Sequence, residues 1–263
     1  MTATICKFCG AESKLVKSHI VPRSFYFLDN EMPHMSMPLD RVVRAKRSRT
    51  GIWDDRILCD ECENKFGVWD DYAYRYLIGN FKKLFVCRDD YGILLVEKAF
   101  PVSVYSDTAD RRKLRDFAIS VLWRAHVSAR EEMSGIDLGD HAEAYKRILT
   151  GQIDGTEKAY PLGIVKESNP DWRGIVSIIG RWDIGEAEIH RFSAGGYTFL
   201  VAASDISFVP DLNLLFQPYK GDKQMMLCKP ESSSRFAQQM SAIAKANRDA
   251  HGDPWKGLRK AAN

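Results

Sequence analysis

Two cysteine pairs with the same C-x2-C spacing carry the strongest chemical signal in the sequence. They are Cys6 with Cys9 and Cys59 with Cys62. Two sulfurs on one tight turn can reach the same ion, and two such turns complete the four-thiolate tetrahedron that structural zinc prefers. The spacing therefore predicts one structural zinc ion, held by these four side chains.

Other origins for the cysteines are weaker. Four unrelated core thiols would give the same count, but buried free cysteines are seldom spaced in this way. A redox pair would stand alone at a strand-to-helix junction of a βαβ unit, which this region does not indicate. A chain of 263 residues is too long for a small disulfide scaffold, so we interpret the remaining Cys87 and Cys228 as core thiols.

The segment between the pairs contains Ser18-His19-Ile20-Val21-Pro22, and the second pair leads into Glu63-Asn64-Lys65. The order C-x2-C, His-Ile-x-Pro, Leu-Cys-x2-Cys and then a helix with Asn-Lys resembles the HNH endonuclease family over about residues 5–80. The resemblance implies a zinc-bound treble-clef module, in which a β-hairpin and a helix (ββα) surround a second, catalytic divalent cation. It assigns to His19 the role of the general base that activates water.

The same resemblance indicates candidate partners for this base. Where the family places a metal-binding residue before the base, this chain has Ser18. Where the family has a histidine after the second pair, it has Glu63 followed by Asn64. Glu63 can bind Mg²⁺ or another divalent cation through oxygen, so the implied catalytic set is His19, Glu63 and Asn64. Asn30 and His34 are both candidates for the family's middle asparagine. The alternative role for His19 is to brace the backbone of the module.

A basic segment follows the His-Ile-x-Pro element. Residues 1–50 contain nine Lys and Arg against four Asp and Glu, whereas the remaining residues contain 29 against 31. Five of the basic residues fall within nine positions: Arg41, Arg44, Lys46, Arg47 and Arg49. Such a segment suits the phosphates of a nucleic acid, with DNA the expected partner. A solvated basic loop explains the pattern equally well.

The elements that must position these residues form an α+β protein. We expect a zinc-binding HNH-like module over residues 1–83 and an α+β domain with a mixed or antiparallel sheet over residues 84–263. The predicted elements are a loop at 29–55, a helix from the second cysteine pair to about Phe81, a hairpin at 84–105, helices at 109–130, 140–150 and 232–248, and strands near IVSII, YTFLVAA, LNLLF and MMLC.

Composition places the chain among ordinary globular proteins, with 45% hydrophobic and 28% charged residues. No run approaches 18 consecutive apolar residues, so we expect a cytoplasmic protein without membrane contact. His126 and His190 fall in predicted regular elements, and we interpret both as structural. The domain at 84–263 has no recognisable catalytic pattern and is a candidate surface for a protein partner or homo-oligomer.

Two functions fit these observations. The first is a metal-dependent HNH-type endonuclease, a class whose bacterial members often serve in defence against foreign DNA. The second is a zinc-bound module that binds nucleic acid or protein without cleavage, because Ser18 and Glu63 have replaced the ligands of the catalytic cation. A third possibility is an unrelated activity in the C-terminal domain.

Overall fold

The computed structural model describes residues 4–26, 34–36, 46–48, 50–79, 102–106, 109–153, 160–167, 176–184, 186–205, 216, 224–229, 245–246 and 249–250. The strands are β1 (Thr4–Ile5), β2 (Glu12–Ser13), β3 (Leu15–His19), β4 (His34–Ser36), β5 (Lys46–Ser48), β6 (Trp53–Cys59), β7 (Val102–Ser106), β8 (Leu162–Glu167), β9 (Ser177–Ile184), β10 (Ala187–Ala194), β11 (Tyr197–Ala202) and β12 (Gln224–Lys229). The α-helices are α1 (Asp60–Tyr74), α2 (Arg111–Val127) and α3 (His141–Thr150).

The N-terminal part consists of short antiparallel strand pairs followed by a helix. Strand β1 pairs with β2, β3 with β6, and β4 with β5. Helix α1 starts directly after Cys59, the last residue of β6, and has three acidic residues in its first turn, where the helix dipole stabilises negative charge. A π-helical turn, Arg75–Gly79, extends α1. This order of hairpin and helix is the ββα arrangement expected around the cysteines.

The second part contains a mixed sheet. Within the described residues its strand order is β7-β12-β8-β11-β10-β9. The β12 and β8 strands are parallel, and the other neighbours are antiparallel. The chain is therefore α+β, and the predicted mixed sheet is confirmed.

Helix α2 lies between the N-terminal elements and the sheet. Its Phe117 ring stacks on Phe25 at 5.1 Å between centroids, and it also contacts Phe192 and Phe199 edge-on at 6.0 and 5.4 Å. All four rings are fully buried. One hydrophobic core therefore runs from the N-terminal hairpin through α2 to the sheet.

Several predicted elements agree with this structure. Helix α2 falls within the predicted 109–130 and α3 within 140–150. Strand β9 overlaps IVSII, β11 overlaps YTFLVAA, and β12 contains MMLC. Helix α2 differs in one respect, because its residues from Leu114 to Ala125 are buried on every face rather than on one apolar face. The cause is its central position between two packed layers.

The predicted loop at 29–55 was wrong in part, because it contains β4, β5 and the start of β6. These short strands carry polar and basic residues, which mask the two-residue alternation typical of a strand. The hairpin at 84–101, the domain boundary near residue 84, the strand at 212–215 and most of the helix at 232–248 lie outside the described residues. Among the described helices, none combines the length and apolar character required to cross a bilayer.

Candidate metal centre and adjacent histidine

The four predicted cysteines converge on one point. Their sulfur atoms all lie within 4.8 Å of one another, and in the described part of the chain no other group of three or more His, Cys, Asp or Glu side chains converges in this way. The Cys9 and Cys59 sulfurs are 3.8 Å apart. Cys6, Cys59 and Cys62 are buried, whereas Cys9 is exposed. The arrangement is compact enough for one metal ion.

Local backbone bonds shape the first cysteine turn. The Cys6 N–H donates to the Ala11 carbonyl at 2.9 Å, and the Gly10 N–H donates to the Cys6 carbonyl at 2.9 Å. Gly10 closes this turn with φ +78°, a conformation that glycine adopts without steric cost. The Lys7 N–H donates to the Ile57 carbonyl at 3.0 Å, which ties the turn to β6 and so brings the two cysteine pairs together.

The thiols differ in acidity. Burial alone would raise the pKa of Cys6, but the backbone N–H groups of Cys9, Cys59 and Phe8 approach its sulfur and lower the pKa to about 7. Burial raises the pKa of Cys59, and burial together with the neighbouring sulfurs raises that of Cys62. A positive ion removes this penalty because thiolates are its ligands. Four thiols without an oxygen ligand suit zinc or another thiophilic metal.

His19 is the last residue of β3 and lies opposite Trp53 of β6. Its Nε2 is 3.0 Å from the Thr50 carbonyl oxygen. A carbonyl can only accept, so Nε2 carries the hydrogen and Nδ1 keeps its lone pair. Burial lowers the pKa of the ring, and the positive charges of Lys17, Arg124 and Arg23 lower it further, although the Thr50 carbonyl opposes them. The imidazole is neutral at pH 7 and can accept a proton through Nδ1.

Two buried oxygen atoms near His19 make no hydrogen bond. They are Ser18 Oγ on β3 and Glu63 Oε2 in the first turn of α1. Burial raises the pKa of Glu63; the Ser18 hydroxyl and Arg124 are near enough to oppose that rise, although no hydrogen bond of ordinary length joins Ser18 to the carboxyl group. Buried polar atoms are normally satisfied, so this pair indicates a water molecule or a cation between β3 and α1.

Other predicted site residues lie elsewhere. Asn64 donates to Asp60 Oδ2 at 3.2 Å on the exposed side of α1. Lys46 and Arg47 lie in β5, and His34 lies in β4. Asn30, Arg41, Arg44 and Arg49 lie outside the described residues.

Sequence reasoning missed three contributions to this region. The Thr50 carbonyl fixes the His19 tautomer, yet a backbone oxygen has no sequence signature. Arg124 influences both His19 and Glu63, but in the sequence it is one charge in an apolar helix. Asp54 is buried and accepts from the Ser128 hydroxyl at 2.9 Å and from the Ala129 N–H at 3.0 Å. The only possible signal for Asp54 was its position beside the second cysteine pair.

A second polar cluster lies between α3 and the sheet. His190 is fully buried, with Nδ1 2.6 Å from the Tyr145 hydroxyl and Nε2 3.0 Å from Glu188 Oε1. His141 lies beside it, with Nδ1 2.9 Å from the Tyr160 hydroxyl. His126 accepts from the Leu138 N–H at 3.2 Å, which suits the structural role expected for it.

Comparisons with protein family models, with curated proteins and with solved structures give no match for this chain. The resemblance to the HNH family therefore depends on the motif residues and on the arrangement described above.

Proposed function

We propose that this protein is a metal-dependent endonuclease of the HNH type that hydrolyses phosphodiester bonds in nucleic acid, with DNA the expected substrate. The observation that carries the proposal is His19 at the end of β3, with Nε2–H bound to the Thr50 carbonyl. This hydrogen bond leaves Nδ1 as the proton acceptor, which is the state that a general base requires.

The four-cysteine cluster supports a structural zinc ion in this proposal. Its four sulfurs match the donors of closed structural sites, which leave no position for a substrate. The ion would fix β1, β6 and α1 relative to one another, because the cysteines lie at the junctions of these elements. It would thereby also fix the strand that carries His19.

In the hydrolytic step His19 accepts a proton from water through Nδ1. The water oxygen forms a bond to phosphorus while the bond from phosphorus to the leaving sugar oxygen breaks, and that oxygen takes a proton from solvent. The buried ring and its fixed tautomer orient the acceptor before substrate binds. The lowered pKa keeps His19 in its active form at neutral pH.

The unpaired oxygens of Ser18 and Glu63 are the atoms best suited to hold a divalent cation such as Mg²⁺, because hard cations prefer oxygen ligands. A bound cation supplies Lewis acidity toward the phosphate and stabilises charge on the leaving oxygen. Since two protein oxygens are few, phosphate and water oxygens would complete the coordination.

Basic side chains near His19 support contact with phosphates. Lys17 Nζ lies 4.4 Å from the centre of the Trp53 ring, and the Arg130 guanidinium lies 5.7 Å from it. Trp53 pairs directly with His19, so these two cations lie close to the candidate catalytic residue. Lys46 and Arg47 in β5 add positive charge to the same N-terminal part. Phosphate contacts of this kind position a nuclease without selecting sequence.

The test is incubation of zinc-loaded protein with supercoiled plasmid and with single-stranded DNA, in Mg²⁺, Mn²⁺ or EDTA. Wild type should nick or cleave DNA only with added cation. His19→Ala should lose at least about a hundredfold in rate, the usual contribution of a general base. His126→Ala is the matched control, since it removes a histidine elsewhere and should cleave normally. Equal cleavage by wild type and His19→Ala would overturn the proposal.

A nucleic-acid-binding module without nuclease activity is the second candidate. It is favoured by Ser18 at the expected ligand position and by the fact that His19 and Glu63 do not belong to any converging three-ligand group in the described residues. This function predicts no cleavage under any cation, with DNA retention that falls as salt rises because counterions compete for the phosphates.

A further inference from the structure

Three ligand-type side chains on the far side of α2 face one another. Glu188 Oε1 lies 3.0 Å from His190 Nε2 and 3.7 Å from His141 Nε2. The two imidazole rings are edge to face, with centroids 5.2 Å apart. One carboxylate oxygen therefore faces the Nε2 atoms of two histidines, and these are the nitrogen and oxygen donors that transition metals bind in proteins.

Each histidine also has a hydroxyl on its other nitrogen. Tyr145 lies 2.6 Å from His190 Nδ1, and Tyr160 lies 2.9 Å from His141 Nδ1. A tyrosine hydroxyl can donate or accept. When Nε2 binds a metal, the ring proton moves to Nδ1 and donates to the tyrosine, which is the outer-shell contact typical of metal-binding histidines. The cluster can thus take up an ion without leaving a buried polar atom unsatisfied.

The cluster is reachable from solvent on one side. The side chains of His141 and Glu188 are 28% and 18% exposed, whereas that of His190 is fully buried. Tyr160 has φ +60°, the positive value found at a residue other than glycine in the described part of the chain. Backbone strain of this kind is concentrated at functional sites, and here it places the hydroxyl that contacts His141.

The present spacing also says which ligand moves. The three donor atoms do not all lie within 4.8 Å of one another, as the cysteine sulfurs do. An ion about 2.1 Å from each ligand therefore has to draw His141 inward, and His141 is the more exposed of the two histidines. Arg181 Nη2 lies 3.4 Å from Glu188 Oε2, but this side chain is 59% exposed and also pairs with Asp183, so it can turn away.

We propose that His141, Glu188 and His190 form a second metal site, separate from the cysteine cluster and selective for a transition ion such as Zn²⁺. The proposal is independent of nuclease activity. Nitrogen and oxygen ligands with open access leave a coordination position for water or a small ligand, unlike the four-sulfur site.

Metal stoichiometry tests this proposal. Purified protein is equilibrated with Zn²⁺, freed of excess by gel filtration and assayed for bound zinc. His141→Ala and Glu188→Gln should each retain one equivalent fewer than wild type, and His126→Ala should match wild type. His19→Ala should also match wild type, which separates this site from the catalytic cation of the proposed nuclease.

Cobalt substitution identifies which site is lost. Co²⁺ bound to sulfur gives an intense near-ultraviolet charge-transfer band, whereas Co²⁺ bound to histidine and carboxylate gives only weak visible bands. The His141→Ala protein should keep the near-ultraviolet band and lose the weak component. An intact band also shows that the variant is folded. Equal stoichiometry and equal spectra in wild type, His141→Ala and Glu188→Gln would overturn the second site.

Discussion

The Arg124 guanidinium on α2 donates hydrogen bonds to both carboxylate oxygens of Asp70 on α1, at 2.9 and 2.8 Å. Arg124 is fully buried, and it also donates to the Ser120 carbonyl at 3.3 Å. Burial raises the pKa of Asp70 despite this partner. The pair fixes the helix that follows the metal centre to the central helix of the protein.

Arg124→Met should be strongly destabilising because it leaves the Asp70 carboxylate buried without its counter-charge. We expect a loss of about 3–5 kcal/mol in the free energy of unfolding. Urea denaturation of zinc-loaded protein measures it, with the exposed Arg112→Met on the same helix as control. Adding Asp70→Leu to Arg124→Met should recover most of the loss. A double variant no more stable than Arg124→Met would show that packing, rather than the unpaired charge, sets the cost.

Removal of the metal should unfold the N-terminal elements. Cys59→Ser deletes a ligand that joins β6 to α1, and structural zinc in small modules contributes on the order of 10 kcal/mol of apparent folding free energy. We expect loss of the zinc equivalent at the four-sulfur site and a large fall in the melting temperature. Chelation of wild type should have the same effect, whereas Cys87→Ser, outside the two pairs, should leave both zinc and melting unchanged. A zinc-free protein that melts like wild type would contradict the structural role.

Asp54 should contribute to stability through the end of α2. Its carboxylate is buried and accepts hydrogen bonds from Arg56, Ser128 and the Ala129 N–H. Asp54→Ala should cost about 3 kcal/mol, since buried donors to a charged group lose their acceptor. The neighbouring Asp55 is exposed, so Asp55→Ala should change the free energy of unfolding by less than about 0.5 kcal/mol.

The contribution of Asp54 should depend on pH. Burial acts to raise its pKa, but the hydrogen bonds from Arg56, Ser128 and Ala129 outweigh burial and place the pKa below 3.8. A carboxyl group with a lowered folded-state pKa stabilises the protein above its unfolded-state pKa and loses that contribution as the pH falls through the folded-state value. The stability difference between wild type and Asp54→Ala should therefore be full above about pH 4 and shrink below it.

Gly51→Ala should disturb the loop that holds Thr50 against His19. Gly51 has φ +79°, and a Cβ atom there would lie 2.5 Å from the Tyr26 ring. That ring cannot yield easily, because it is buried and its hydroxyl accepts from the Ile52 N–H at 3.1 Å. We expect a loss of about 3 kcal/mol from strain and overpacking.

Gly139→Ala is the control for Gly51→Ala. Gly139 also has positive φ, +53°, but a Cβ there would meet nothing within 4 Å. It should cost only about 1 kcal/mol, the conformational share of the effect. Equal losses in the two variants would mean that contact with Tyr26 is unimportant.

Nuclease activity, if His19 is its base, should fall in acid. The active form is the neutral ring, and burial places the pKa of His19 below 6.5. The rate of cleavage should stay constant from about pH 8 down to about pH 6.5 and decline below that. Initial rates at saturating Mg²⁺ measure the profile, with far-ultraviolet circular dichroism to exclude unfolding. A rate that already declines between pH 8 and pH 7 would assign the base to another group.

The parts of this structure that depend on local sequence were predictable. The cysteine pairs were identified from their spacing, because two sulfurs on one turn are brought together by that turn alone. Helix α2 was predicted from its 3.6-residue apolar period. The short strand β5 was not, since Lys46 and Arg47 carry no apolar alternation.

Relations between distant residues were not predictable from the sequence. Asp70 and Arg124 are 54 positions apart, and Tyr145 and His190 are 45 apart. Neither pair has a local signature, because each depends on how a helix packs against a partner. The same reason explains why His190 was interpreted only as structural and why the role of Thr50 was not foreseen.

Phe8 gives the metal-binding turn a second role. It lies between Cys6 and Cys9, and its ring contacts Phe66 at 4.9 Å and Trp123 of α2 at 5.3 Å. The turn that supplies two metal ligands is therefore also part of the central hydrophobic core. A fragment cut after residue 83 would present these aromatic rings to water and should aggregate even with zinc bound. The metal-binding segment is consequently not a portable cassette that can be transplanted into another scaffold without α2.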